Sequence, residues 1–474
     1  MLSHVVIPRQ SACPHPTHSS APHLIALRPI VVSSAAAARF LFSFNSAAGY
    51  YYGAPLSIVR TLPPRDVSKT ASTNQIGWAE QGPAFIVGLG HSAIHWIAAF
   101  FYLLIPFIGP DLGLSYTDTG LLVSVFHISS WVANFGSGLL VDITGRRMLF
   151  QIVSLLIGGF ALLAFGWTSH LLVFLGVVIL LGMSNNLWHP PAIAYLSEHY
   201  PRHRGRALAI HALGANLGDT LAPIAAGVLL ASYSWQQTSI VATVPVLLIG
   251  LLIGFTLLPK EGRTQPHSGK SKSFVHIVSD LKALLRNRAI TGLAVASGCR
   301  NIAQNGLYLF LPLYLINELK TGAILMGMVM MALQIGGLVS GPVAGIWSDR
   351  AGRRPVMLWG LAGSAVLLAL ITPFPSPLVV TSVVTVAGCF LFSVRPVVHS
   401  WMMDLSPPTY FGTTTSILFG TQAIMTVVAM PIGGLIADSY GLASVFYFLA
   451  AMVLIAYLLV LLLPIQAAGE ATRT

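Results

Sequence analysis

The tightest constraint in this sequence is a succession of continuously apolar blocks. Each is about as long as the 20 residues that carry a helix across a hydrocarbon core. Apolar residues do not alternate with polar ones, so the blocks read as helices and not as strands of a barrel. Only 8% of the residues are charged and 55% are hydrophobic, against roughly a quarter charged in soluble domains. Such a chain cannot clothe a water-facing surface, whereas it suits a lipid-facing one. From Pro83 onward the pattern predicts twelve spans, at approximately 83–108, 118–141, 148–166, 171–197, 206–232, 237–258, 289–316, 321–346, 355–373, 377–403, 413–437 and 442–464.

The net charge of +11 raises a nucleic-acid reading that the placement of the charges removes. Of the 25 Lys and Arg residues, 15 fall in four of the even-numbered connections. These are Arg146 and Arg147; Arg202, Arg204 and Arg206; seven residues from Lys260 to Arg288; and Arg350, Arg353 and Arg354. The odd-numbered connections hold only Lys320. By the positive-inside rule, this asymmetry predicts cytoplasmic basic loops and cytoplasmic termini. The charge therefore orients the chain in a lipid bilayer, expected to be a bacterial inner membrane, and assigns no nucleic-acid partner. Cys13, Cys299 and Cys389 show no disulfide or metal-ligand spacing, and neither a metal nor a cofactor is expected.

The chain also repeats itself at an offset of 207 residues. Gly138, Asp142, Gly145, Arg146 and Arg147 recur as Gly345, Asp349, Gly352, Arg353 and Arg354. Gly205, Ile210 and Gly227 fall on Gly412, Ile417 and Gly434, and Pro223 falls one residue short of Pro431. Landmarks sharing a register predict a duplicated six-helix unit, with a substrate site where the halves meet near mid-membrane. The expected organisation is a first bundle at 81–258, a cytoplasmic linker at 259–288, a second bundle at 289–466 and a short cytoplasmic tail at 467–474. The linker starts lysine-rich and ends in FVHIVSDLKALLRNR, whose apolar spacing suits an amphipathic surface helix. Residues 1–80 carry Arg9, Arg28, Arg39, Arg60 and Arg65 but no acid before Asp66. That composition fits an organellar transit peptide or a mis-called start, and the apolar stretch 30–59 reads as disordered or weakly helical.

The paired G-x-x-x-D-x-x-G-R-R loops resemble the signature of the major facilitator superfamily over essentially all of residues 83–466. Within it, GLSYTDTGLLVS (113–124), WHPPAIAYLSEHYP (188–201) and RGRALAIHALGANLG (204–218) resemble the fosmidomycin-resistance-like exporters. The resemblance implies an all-α membrane protein, with twelve transmembrane helices in two pseudo-symmetric six-helix bundles. It further implies a monomer working by alternating access. The family fold lines its cavity with spans one, four, seven and ten. A charge-relay latch at the two loops, including Arg350, would hold the outward-facing state. Ile143 stands where the family often has a basic residue, which implies a weaker first latch. Physically, Gly138 and Gly345 allow close helix approach, and the aspartates can cap a helix or pair with arginine. The plainer reading is a pair of topology anchors.

Ionisable and amide groups at membrane depth are functional candidates because burying them is costly. His91 and His95 share a face of span one, and His127 and Asn134 lie on span two. Span four carries Asn185, Asn186 and His189. Span seven carries Arg300, Asn301, Gln304 and Asn305, and span ten carries Arg395 and His399. Asp219, the one deep carboxylate of the first half, is the candidate proton-coupling group, or else a structural partner of Arg300 or a histidine. Arg300 and Arg395 could hold a carboxylate, phosphate or phosphonate. The alternatives are a fixed inter-helix salt bridge or, for Arg395, snorkelling to the inner face. Glu198 and Asp404, at cytoplasmic helix ends, read as interfacial.

Span five places Gly214, Gly218, Ala222, Pro223 and Gly227 in a small-residue stripe. It resembles the antiporter motif of drug–proton exchangers, although two expected glycines are alanines, and it predicts tight packing with a bend. There is no nucleotide-binding loop or catalytic triad, so an enzyme is not expected. The favoured expectation is proton-coupled efflux of a drug-like or anionic small molecule. Proton-coupled uptake of an organic anion is the alternative, with a membrane sensor behind it.

Overall fold

The computed structural model describes residues 79–168, 170–261, 281–407 and 410–464. The leader read at 1–80, apart from its last two residues, lies outside them, as do most of the linker and the tail at 467–474. Every regular element among the described residues is helical. The long helices are α1 (Gly82–Leu112), α2 (Tyr116–Thr144), α3 (Arg147–Phe165), α4 (Leu171–His199), α5 (Arg204–Leu230) and α6 (Trp235–Thr256). They continue with α7 (Arg288–Leu313), α8 (Ala323–Ala351), α9 (Arg353–Ala369), α10 (Pro377–Asp404), α11 (Phe411–Tyr440) and α12 (Leu442–Leu462). Nine of them are long and apolar enough to cross a membrane by length and composition. The other three, α2, α7 and α9, sit at the remaining places of the twelve-span expectation. Of the amphipathic segment expected before α7, the described residues 281–286 are helical.

Local sequence explains where the helices start and break. Ser115 and Asp118 form a reciprocal capping box at the start of α2, and Ser234 and Gln237 do the same for α6, satisfying N–H groups that a helix start leaves orphaned. Gly113 and Gly145 end α1 and α2 at φ 63° and 67°, backbone that a side chain would strain. α4 is interrupted at Trp188. Pro190 and Pro191, which follow after His189, cannot donate to the preceding turn.

The two sets of six helices repeat the same contacts. α1 packs on α5 as α7 packs on α11, α2 on α4 as α8 on α10, and α3 on α6 as α9 on α12. Between the sets, α2 meets α11 and α5 meets α8, again a symmetric pair. The glycine stripe of α5 serves two partners in turn. A Cβ on Gly214 or Gly218 would strike the α1 backbone at Gly88 or Ser92, and one on Gly227 would strike α8 at Ala323. Its counterpart Gly434 lies against Tyr116 and Thr117 in the same way.

Several of these inter-set contacts lie around one residue, Asp438. Asp438, on α11, caps α2, accepting from Tyr116 N at 2.9 Å, Thr117 N at 2.9 Å and Thr117 Oγ1 at 2.6 Å. Deeper along the seam, Ser124 Oγ donates to Val427 O at 2.7 Å. At the opposite, arginine-rich face, a Cβ added to Gly138, Gly205, Gly345 or Gly412 would meet nothing within 4 Å. This corrects the expectation that Gly138 and Gly345 mediate close approach. In this conformation the two sets meet around Asp438, and open space lies beside those glycines.

Candidate functional site

A cavity lies between the two sets of helices, lined from α1, α2, α4 and α5 on one side and α7, α8, α10 and α11 on the other. Of the residues singled out in the sequence, His95, His127, Asn185, Asp219, Arg300, Asn301, Gln304, Asn305, Arg395 and His399 line it. His91 and His189 are not in the wall; their rings lie 4.7 and 6.3 Å from that of His95. Asn134 is exposed and Asn186 half-buried, both outside the lining.

The glycine stripe positions the one acid of the wall. Because Gly218 lets α5 lie on α1 at Ser92, the neighbouring Asp219 reaches His95. His95 Nδ1 and Asp219 Oδ1 are 2.9 Å apart, with side chains 23% and 27% exposed. The structural alternatives read from the sequence divide here: Asp219 pairs with a histidine of its own half, and no ion pair joins it to Arg300 among the described residues.

Arg300 is 2% exposed, yet its partners are neutral. Its Nη1 donates to Leu391 O at 3.2 Å and its Nη2 to Gln304 Oε1 at 2.6 Å and Asn301 Oδ1 at 3.5 Å. No carboxylate pairs with Arg300 or Arg395 among the described residues. The fixed salt bridge expected as an alternative for Arg300 is therefore not what is seen among the described residues, and the exposed Arg395 also lines the cavity. A buried guanidinium without a counter-ion is costly, so two guanidiniums on one wall create a site suited to an anion.

Further lining residues escaped the sequence reading. Tyr102 OH and His127 Nε2 are 2.9 Å apart, Tyr308 OH donates to Gln334 Oε1 at 3.3 Å, and Gln422 Nε2 donates to Ser297 Oγ at 2.7 Å. The Tyr102 and Tyr308 rings stand 5.9 Å apart across the two halves. Tyr308 was discoverable: Arg300, Gln304 and Tyr308 recur every fourth residue, on one face of α7. Tyr102, in an apolar stretch, carried no such signal.

At the arginine-rich loops, Arg147 pairs with Glu198 through both carboxylate oxygens. Arg353 pairs with Asp349 and, at 2.9 Å, with Asp404; it also donates to Ser348 Oγ at 2.8 Å. Arg354 donates to Leu461 O, while Arg146 and Arg350 are exposed. The Asp142 side chain is outside the described residues. Glu198 and Asp404, read as interfacial, are ion-pair partners, and each partner arginine precedes its acid by 51 residues. The repeat register therefore steps from 207 to 206 at this loop. Two residues separate α2 from α3 where Gly352 alone separates α8 from α9, making Arg147 the counterpart of Arg353 and not of Arg354.

Comparison with known proteins agrees with this architecture. The chain is 25% identical over 378 residues to a multidrug resistance protein, MdtG, of Escherichia fergusonii, covering 76% of this chain and 91% of the relative. It is 23% identical over 415 residues to a phosphoglycerate transporter protein of Salmonella typhimurium, covering 82% and 88%. The solved nucleoside transporter NupG superposes with a TM-score of 0.67 at 12% identity, over 80% of this chain and 98% of that one. Residues 84–338 and 293–473 match the Major Facilitator Superfamily, and the chain belongs to that family of multi-pass membrane transporters.

Proposed function

We propose that this transporter moves a small organic anion by alternating access, with export driven by protons. The observation that carries the reading is the pair of cavity arginines, Arg300 and Arg395, without a carboxylate partner among the described residues. An anionic group entering the cavity supplies that partner through charge-assisted hydrogen bonds. The rest of the wall is mixed, with Phe126, Tyr308, Met330 and Phe419 beside the amides, which suits a substrate carrying an apolar body as well as a charge.

Asp219 is the proton-coupling group on this reading, because a carboxylate bonded to an imidazole inside a membrane is a site where a proton can be held or released. The two six-helix units move against each other about the cavity, opening and closing the Asp438 seam. The resemblance of residues 188–218 to fosmidomycin-resistance-like exporters and the similarity to a multidrug resistance protein support export. The phosphoglycerate transporter relative supports an anionic cargo.

The test is reconstitution into liposomes loaded with a pH-sensitive dye, followed by addition of matched acids and neutral esters. The acids should drive proton movement and the esters should not. Proton-silent transport, or equal responses to acids and esters, overturns the proposal.

A further inference from the structure

At and behind the cavity wall lies a histidine cluster that the proposed anion site does not use. His91 and His95 on α1 and His189 on α4 each present a ring nitrogen, and these nitrogens lie within 4.8 Å of one another. His91 Nε2 and His189 Nε2 are 3.2 Å apart. Two imidazoles on a tetrahedral zinc ion, with Zn–N bonds of about 2.0–2.1 Å, place their nitrogens about 3.3 Å apart. The spacing already matches.

Two of the three rings are also held as metal-binding imidazoles are held. His91 Nδ1 lies 2.7 Å from the His211 carbonyl, to which it can only donate, so the lone pair of the neutral ring is on Nε2. His95 Nδ1 lies 2.9 Å from Asp219 Oδ1, leaving its Nε2 free. A backbone carbonyl and a carboxylate are the outer partners that orient metal-ligating histidines. His189 Nδ1 is buried, so it can carry the ring proton while Nε2 turns to an ion. His211 is committed elsewhere: it stacks on His91 at 3.8 Å and its Nε2 accepts from Trp188 Nε1 at 3.2 Å.

The geometry points to a divalent transition-metal site formed by His91, His95 and His189, oriented by the His211 carbonyl and Asp219. Three imidazoles suit zinc or cobalt and leave a fourth position open. His95 and Asp219 are themselves in the cavity wall, so the site adjoins the cavity. The Asp219 carboxylate offsets part of the ion's charge, and no transport step is needed for binding.

The experiment uses the full chain purified without a polyhistidine tag, stripped with chelator and titrated with Co²⁺ in detergent. One equivalent should raise the visible absorption of tetrahedral cobalt and be displaced by Zn²⁺. His91→Ala and His189→Ala should abolish the band. Asp219→Asn, which preserves shape, should weaken affinity about 10- to 100-fold, as loss of an outer partner does. His170→Ala, at an exposed histidine outside the cluster, should change nothing. Absence of the band, or cobalt binding that survives both histidine substitutions, overturns the inference and leaves the cluster a chain of hydrogen-bonded rings. Because the readout is binding alone, the outcome is independent of whether the transported solute is an anion.

Discussion

Replacing Arg300 by alanine tests the anion site most directly. A guanidinium has five N–H donors, and Arg300 directs three donor contacts to Leu391, Gln304 and Asn301. The full charge and two donors remain for a ligand. Loss of even one charge-assisted hydrogen bond costs about 1.5–3 kcal/mol, a roughly 10- to 150-fold rise in Kd. The assay is calorimetric titration of purified protein with an acid that raises its melting temperature, beside the neutral ester of the same acid. Arg300→Ala should weaken the acid within that range and the ester less than about threefold. Arg300→Lys keeps a point charge without the planar fork and should fall between. Because the alanine variant also strands the Gln304 and Leu391 oxygens, the lysine variant guards against mistaking a fold defect for a binding one. Equal losses for acid and ester in both variants would refute the reasoning.

Asp219→Asn should abolish flux driven by a pH gradient while leaving solute exchange across equal pH measurable; unchanged driven flux would remove its coupling role. Asp438→Ala removes three hydrogen bonds at the start of α2. Cap losses run about 0.5–2 kcal/mol, so the population with the α2–α11 seam open should rise by roughly 2- to 30-fold, read from spin-label distances across the seam. Gly434→Val places a side chain against the Tyr116 and Thr117 backbone and should lengthen the same distances; an unaltered distance distribution would contradict the packing described. Glu198→Ala and Asp404→Ala break pairs that lie within one half each. They should lower melting temperature to similar extents without shifting those distances, and a large shift would reassign them to the seam.

The helical spans were legible because a lipid environment demands uninterrupted apolar runs, and the duplication because its landmarks lie on tight turns that admit few residues. The cavity was legible by helix, since Arg300, Gln304 and Asp219 are expensive at membrane depth. What the sequence concealed were partners brought from afar. His91 and His95 announced only an i,i+4 pair; His189 and His211 join them across 98 and 120 residues. The slip of register at Gly352 was hidden as well, because two consecutive arginines align equally well either way and only helix ends decide which one carries the ion pair.

The unpaired guanidinium of Arg300 also bears on the return journey of an unloaded carrier. Sealing both faces around a vacant pocket would strand that cation in a low-dielectric chamber, a step far costlier than sealing it around a bound anion. On the proposed reading, crossing empty is therefore the slow half of the cycle. Saturating solute on the far side should accelerate turnover, so that the protein swaps one anion for another faster than it delivers a net load.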